Sequence, residues 1–176
     1  MQALKKILFT LVVLALFLAV VGLALPGRFE VRRSTLIHTP ADKLFSYIED
    51  PRQWKAWTVW NQRDPAMTIQ YSGPEKGVGA AWSWQSKTEG SGSMTFTAIE
   101  APRRMVYKLE FPEFNMVSTG EVTLTPEGSG IRVSWSNTGE LGMNPLNRYM
   151  GLMMDRMVGP DFEAGLGNLK KLAEAR

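Results

Sequence analysis

Between residues 67 and 135, apolar side chains occupy every second position in one short segment after another. Met67, Ile69 and Tyr71 alternate in this way, as do Ala80, Trp82 and Trp84, and then Met94, Phe96 and Ala98. The clearest run is Met105, Tyr107, Leu109 and Phe111, with Lys108 and Glu110 facing the other way. Val122 and Leu124 follow, then Ile131, Val133 and Trp135, with Arg132, Ser134 and Ser136 opposite. A period of two predicts strands with one buried and one wet face. Turn chemistry separates them at Ser72-Gly73-Pro74, Gly90-Ser91-Gly92, Ala101-Pro102 and Glu127-Gly128-Ser129-Gly130. The connections are too short for crossover helices, so the strands form an antiparallel meander.

A further strand is predicted over residues 28–38. Thr39-Pro40 then reads as a helix cap and first helical position, before a stripe of Ala41, Leu44, Phe45 and Ile48. Asp50-Pro51 repeats that logic and opens a second short helix with Trp54 and Trp57 three residues apart. From about Pro145 to Glu174 the period lengthens to that of a helix. Leu146, Met150, Met153, Met154 and Met157 make one stripe, continued by Phe162, Leu166, Leu169 and Leu172. Pro160 inside this stretch predicts a kink or a brief break.

At the other end of the chain, Ile7 to Leu25 is an uncharged apolar run. At ~1.5 Å per residue it spans about 28 Å, close to the ~30 Å hydrocarbon core of a bilayer. Lys5 and Lys6 precede it and favour a cytoplasmic N-terminus. Residues 1–27 are therefore expected to be a single-pass membrane anchor through residues 7–25. Residues 28–176 form the folded domain, on the extracytoplasmic (periplasmic or extracellular) side. A cleaved signal peptide with Gly22-Leu23-Ala24 at its processing site is the alternative.

The chain's 176 residues suit one domain, and its hydrophobic share of 44% is enough for a core. It has no cysteine, which excludes disulfides, thiolate metal sites and cysteine nucleophiles. A single histidine, His38, excludes a multi-histidine metal site. It sits beside a helix cap, with no partner evident, and reads as a surface or structural residue. Without Lys5 and Lys6, 18 basic residues face 17 acidic ones, interspersed along the chain. This does not give the concentrated basic face that nucleic-acid binding needs. No cofactor is expected.

Strand, two short helices, antiparallel strands and a long last helix make an α+β domain. A sheet of this length curls, and its apolar face has the last helix to pack on. A sheet curved around a helix leaves room for a cavity, where function is expected. Several segments carry a resemblance in the same order. They are Ser34 to Ala41 with Phe45, Asp50 to Trp54 with Trp57, Asp64 to Met67, and Tyr71 to Pro74. Gly77-Val78-Gly79 before Trp82 and Trp84, Gly90 to Met94, Arg132 to Trp135, and Asp161-Phe162 through Lys170 complete the set. Over residues 28–174 the chain resembles the START-like, or SRPBCC, superfamily, in its polyketide cyclase/dehydrase and lipid-transport-like branch. The resemblance implies a helix-grip fold, with the curved sheet wrapped around the C-terminal helix.

Ten large side chains fall on faces expected to point inward: Trp57, Trp82, Trp84, Phe96, Tyr107, Phe111, Trp135, Met150, Met153 and Met157. They are the candidate ligand-binding residues. Methionine adapts to varied apolar surfaces, and Trp and Tyr add polar handles. The leading expectation is a binding module for a hydrophobic small molecule or lipid, held at the membrane. Two alternatives remain. One is a cyclase or dehydratase using a pocket carboxylate or Tyr107 as an acid–base group, although the sequence contains no evident triad. The other is a structural or interaction domain with a filled core.

Overall fold

The computed structural model describes residues 2–175. A long apolar helix, α1 (Gln2–Ala24), precedes strand β1 (Arg28–Ile37). Three short helices follow, α2 (Ala41–Ser46), α3 (Pro51–Trp57) and α4 (Trp60–Arg63). Strands β2 (Thr68–Ser72), β3 (Ala81–Gln85), β4 (Ser91–Glu100), β5 (Arg104–Phe111), β6 (Met116–Glu127) and β7 (Gly130–Glu140) lead into the final helix α5 (Pro145–Glu174). The seven strands form one antiparallel sheet in the order β1-β7-β6-β5-β4-β3-β2. The first strand thus closes on the last, and the rest run as the expected meander.

The alternating patterns translate directly into faces. Met105 and Tyr107 of β5, Val122 and Leu124 of β6, and Val133 and Trp135 of β7 are buried together against α5 and α3. The buried stripe of α5 is Phe162, Leu166, Leu169 and Ala173, with Met154 and Val158 partly buried above it. Trp135 and Phe162 stack in parallel, with ring centroids 3.9 Å apart. Gly165 makes that approach possible, because a Cβ there would sit 3.1 Å from the Trp135 ring. Trp54 packs edge-on against Trp135 and Tyr107 at 5.7 and 5.5 Å. Trp54 and Trp57 give their indole N–H groups to the carbonyls of Ile48 and Tyr47, so burial leaves neither donor unpaired.

Four local features depart from the sequence reading. Asp50 does cap α3, accepting from the Arg52 N–H at 2.8 Å, but Thr39 caps nothing. Its hydroxyl instead donates to the Ala173 carbonyl and ties β1 to the end of α5. One helical turn, α4, appears after α3 where none was expected. Helix α5 runs unbroken through Pro160. Finally, Leu146, Met150, Met153 and Met157 do not face the core. Each is more than half exposed, Leu146 and Met153 on the outer surface of α5 and Met150 and Met157 along its border with an open cavity, while Gly151, Met154 and Val158 turn inward.

Arg33 fixes the position of α5 on the edge strand. Its guanidinium donates to Asp155 at 2.6 and 3.1 Å and to Glu163 at 2.5 Å, from beneath Gly159. These hydrogen bonds, first to Asp155 and then to Glu163, push the arginine's pKa further up. They hold the Asp155 carboxyl below its ordinary range.

Candidate functional site

A cavity of about 580 Å³ lies between the concave sheet, α3–α4 and the first half of α5. Its size is within the ~300–1,000 Å³ common for small-molecule pockets. The sheet supplies Trp82, Trp84, Met94, Tyr107, Leu109 and Phe111, and α5 supplies Met150, Met154, Met157, Val158 and Phe162. Trp54 and Trp60, and Phe29 and Val31 of β1, also line it.

Strand register explains why space remains there. Tyr107, Gly120, Asn137 and Val31 form one row across β5, β6, β7 and β1. Leu109, Ser118, Gly139 and Phe29 form the next. A Cβ at Gly120 would collide with the Tyr107 ring, and one at Gly139 with the Phe29 ring. Each aromatic ring therefore lies over a glycine, close to the sheet, and leaves the volume above it open.

The same two rows carry the site's distinctive polar groups. Ser118 and Asn137 are 3% and 7% exposed and line the cavity. Among the described residues, the Ser118 hydroxyl oxygen and the Asn137 Oδ1 have no hydrogen-bond partner. An unpartnered buried polar atom costs about 1–3 kcal/mol, a cost that a hydrogen-bonding group in the cavity, from water or from a ligand, would relieve. Tyr107 is differently placed. Its hydroxyl accepts the Trp135 indole N–H at 2.8 Å, and burial pushes its pKa well up, a rise only partly opposed by that hydrogen bond. The phenol therefore keeps its proton and is poorly suited to act as a base.

At the α4 edge the charged groups are already engaged. Asp161 accepts from the Arg63 guanidinium at 2.5 Å and from the Trp60 indole at 3.1 Å, and Arg63 also faces Glu89 at 3.5 Å. Among the described residues, no group of three or more His, Asp or Glu is placed to hold a metal ion.

Of the ten residues picked from the sequence, Trp82, Trp84, Tyr107, Phe111, Met150 and Met157 line the cavity. Trp57, Phe96 and Trp135 do not, being consumed by the aromatic core around Trp54 and Phe162. Met153 is on the outer face of α5, 52% exposed and away from the cavity. Ser118 and Asn137 were missed, although the signal was present. Each continues the inward register of its strand, Ser118 with Val122 and Leu124, and Asn137 with Val133 and Trp135, where a polar residue is anomalous. His38 is exposed, with Nδ1 3.4 Å from the Ser129 hydroxyl.

Residues 28–174 match the family described as polyketide cyclase / dehydrase and lipid transport. Among curated proteins none matches the chain. Solved structures share its fold at low identity. Truncated norcoclaurine synthase from Thalictrum flavum has a TM-score of 0.63 at 10% identity, covering 85% of this chain and 95% of its own. A Chromobacterium violaceum protein gives 0.57 at 16%, covering 84% and 99%. The di-domain ARO/CYC protein BexL, from the BE-7585A biosynthetic pathway, gives 0.60 at 18%, covering 85% of this chain. This chain spans about half of that protein, 51% of its length.

Proposed function

This chain belongs to the polyketide cyclase / dehydrase and lipid transport family, and on that premise we propose that it binds an amphiphilic lipid or similar hydrophobic small molecule while anchored to a membrane. Residues 1–27 act as the anchor and residues 28–176 as the pocket domain, outside the cytoplasm. The observation that carries the reading is the composition of the cavity. Its walls are mainly aromatic, aliphatic and methionine side chains, polar residues such as Lys55, Arg63, Glu140 and Asp161 also line it, and the Ser118 hydroxyl and the Asn137 Oδ1 are unpartnered within it. An apolar body would gain roughly 25 cal/mol per Å² removed from water, before ordering costs. A hydroxyl or carbonyl on the same molecule would pair with Ser118 and Asn137 and set its orientation.

The anchor reading is supported by α1, which is long and apolar enough to cross a membrane and is 6% buried over its most apolar window. A core helix would be covered on most sides. Catalysis has weaker support. Tyr107 holds its proton, Asp161 is committed to Arg63 and Trp60, Glu89 faces Arg63, and Glu140, which also lines the cavity, is exposed to solvent.

Titration with a fluorescent fatty-acid analogue tests binding. Met157→Trp fills the mouth and should weaken uptake by about tenfold, equivalent to ~1.4 kcal/mol. Met153→Trp, away from the cavity, should leave it unchanged. Equal effects from both variants, or no binding by the parent protein, would contradict the reading.

A further inference from the structure

The first half of α5 is held against the end of α1. Gly22, the one buried residue of α1, lies against Pro145 and Tyr149. The Tyr149 hydroxyl donates to the Leu18 carbonyl at 2.9 Å, and the Arg148 guanidinium donates to the carbonyls of Leu23 and Leu25. Leu18 to Leu25 is about 10 Å of helix at ~1.5 Å per residue. The opening turns of α5 are therefore level with the last two turns of the apolar run, not beyond it.

Those turns are apolar on their free side. Leu146 is 72% exposed, and Met150, Leu152 and Met153 are all more than half exposed. From Leu141 to Met154 the only charged residue is Arg148, and its guanidinium is turned onto α1. Phe114, 70% exposed, is on the turn after β5. Phe114 and Met150 also line the cavity, so the exposed apolar surface and the cavity wall are continuous.

We infer that this face of α5, with Phe114, sits in the interfacial region of the bilayer spanned by α1 and opens the cavity onto the lipid surface. The inference rests on the anchor reading above. Interfacial helices bury an apolar face ~5–10 Å into the headgroup and acyl boundary, a depth that matches the overlap with α1. A ligand can then pass between leaflet and cavity without its apolar body crossing water. This narrows the ligand class to amphiphiles that reside in that leaflet.

The chain has no cysteine, so single-cysteine labelling reports one site at a time. The full-length variants Leu146→Cys, Met153→Cys, Leu14→Cys and Ser129→Cys, each carrying an NBD fluorophore, are reconstituted in phosphatidylcholine vesicles. They are then quenched by shallow doxyl phospholipid or by aqueous iodide. The labels at 146 and 153 should be quenched by doxyl lipid severalfold more than the label at 129, and be protected from iodide. If they match position 129 while Leu14→Cys is lipid-quenched, the anchor stands and the inference falls. If the Leu14→Cys label is aqueous too, the anchor reading itself fails. Protection from iodide without lipid quenching would mean that protein, such as a second copy, covers the face, which also overturns the inference.

Discussion

Replacing Asn137 with leucine should stabilise the ligand-free domain while damaging its binding. Asn137 is opposite Gly120 on one side and Val31 on the other, in the same row as Tyr107, with Oδ1 unpartnered. Leucine has the same branched skeleton but is larger, and because Asn137 lines the open cavity the added methyl volume enters that space, so the change removes a buried polar group without opening a void behind the wall. The desolvation penalty relieved is about 1–3 kcal/mol. For a domain of this size each kcal/mol moves Tm by about 2–4 °C, so the rise should be several degrees. Ser118→Ala should act in the same direction by less, because it also gives up packing around the removed oxygen. Binding should move the opposite way. If the polar end of the ligand pairs with this amide, its loss should weaken an amphiphilic probe by about five- to tenfold, or ~1–1.4 kcal/mol. Thermal unfolding of the full-length protein in detergent, run beside probe titration, gives both numbers. An unchanged or lowered Tm would refute the reasoning, because it would mean that Asn137 is satisfied in the free protein.

Other expectations follow from the same geometry. Gly120→Ala drives a methyl into the Tyr107 ring and should cost ~1–3 kcal/mol or more in denaturant unfolding, whereas Gly167→Ala, in α5 with open space at its Cβ position, should not destabilise. Tyr107→Phe strands the Trp135 indole N–H and should cost about 1–3 kcal/mol, measured by the same unfolding curves. The Asp155 carboxyl is held low by Arg33, so its contribution is present above the ordinary aspartate pKa and is lost as pH falls through the depressed value. Stability of the parent protein should therefore decline below about pH 4, and Arg33→Gln should flatten that decline in an acid titration followed by circular dichroism. A phosphatase reporter fused after residue 176 should be active only on the exported side, and cytoplasmic activity alone would overturn the proposed topology.

The sheet was legible because alternation is a strong local signal. The inward positions of β5, β6 and β7 are those that the period of two picked out. Helix α5 was harder to read. Its apolar residues cover a wide arc, and the sequence does not say which part of that arc meets the sheet. Gly151, Met154 and Val158 face inward, while Met153 faces out. For Trp57, Phe96 and Trp135, inwardness was readable but the choice between core and cavity was not. That choice depends on which rings α3 brings together and on glycines placed across strand partners. Gly120 and Gly139 make room in the cavity through residues 13 and 110 positions away, a relation set by register alone. Arg33 looked like an ordinary strand charge, because its partners Asp155 and Glu163 are more than 120 residues along the chain.

The most direct test of the account is native mass spectrometry of the full-length protein, purified in mild detergent, beside a Leu109→Trp variant in which the cavity is filled. The account expects the parent protein to retain one amphiphile of lipid-like mass and the filled variant to retain none. A bare parent protein that also fails to take up membrane lipids supplied in excess, or an adduct that persists equally in Leu109→Trp, would contradict it.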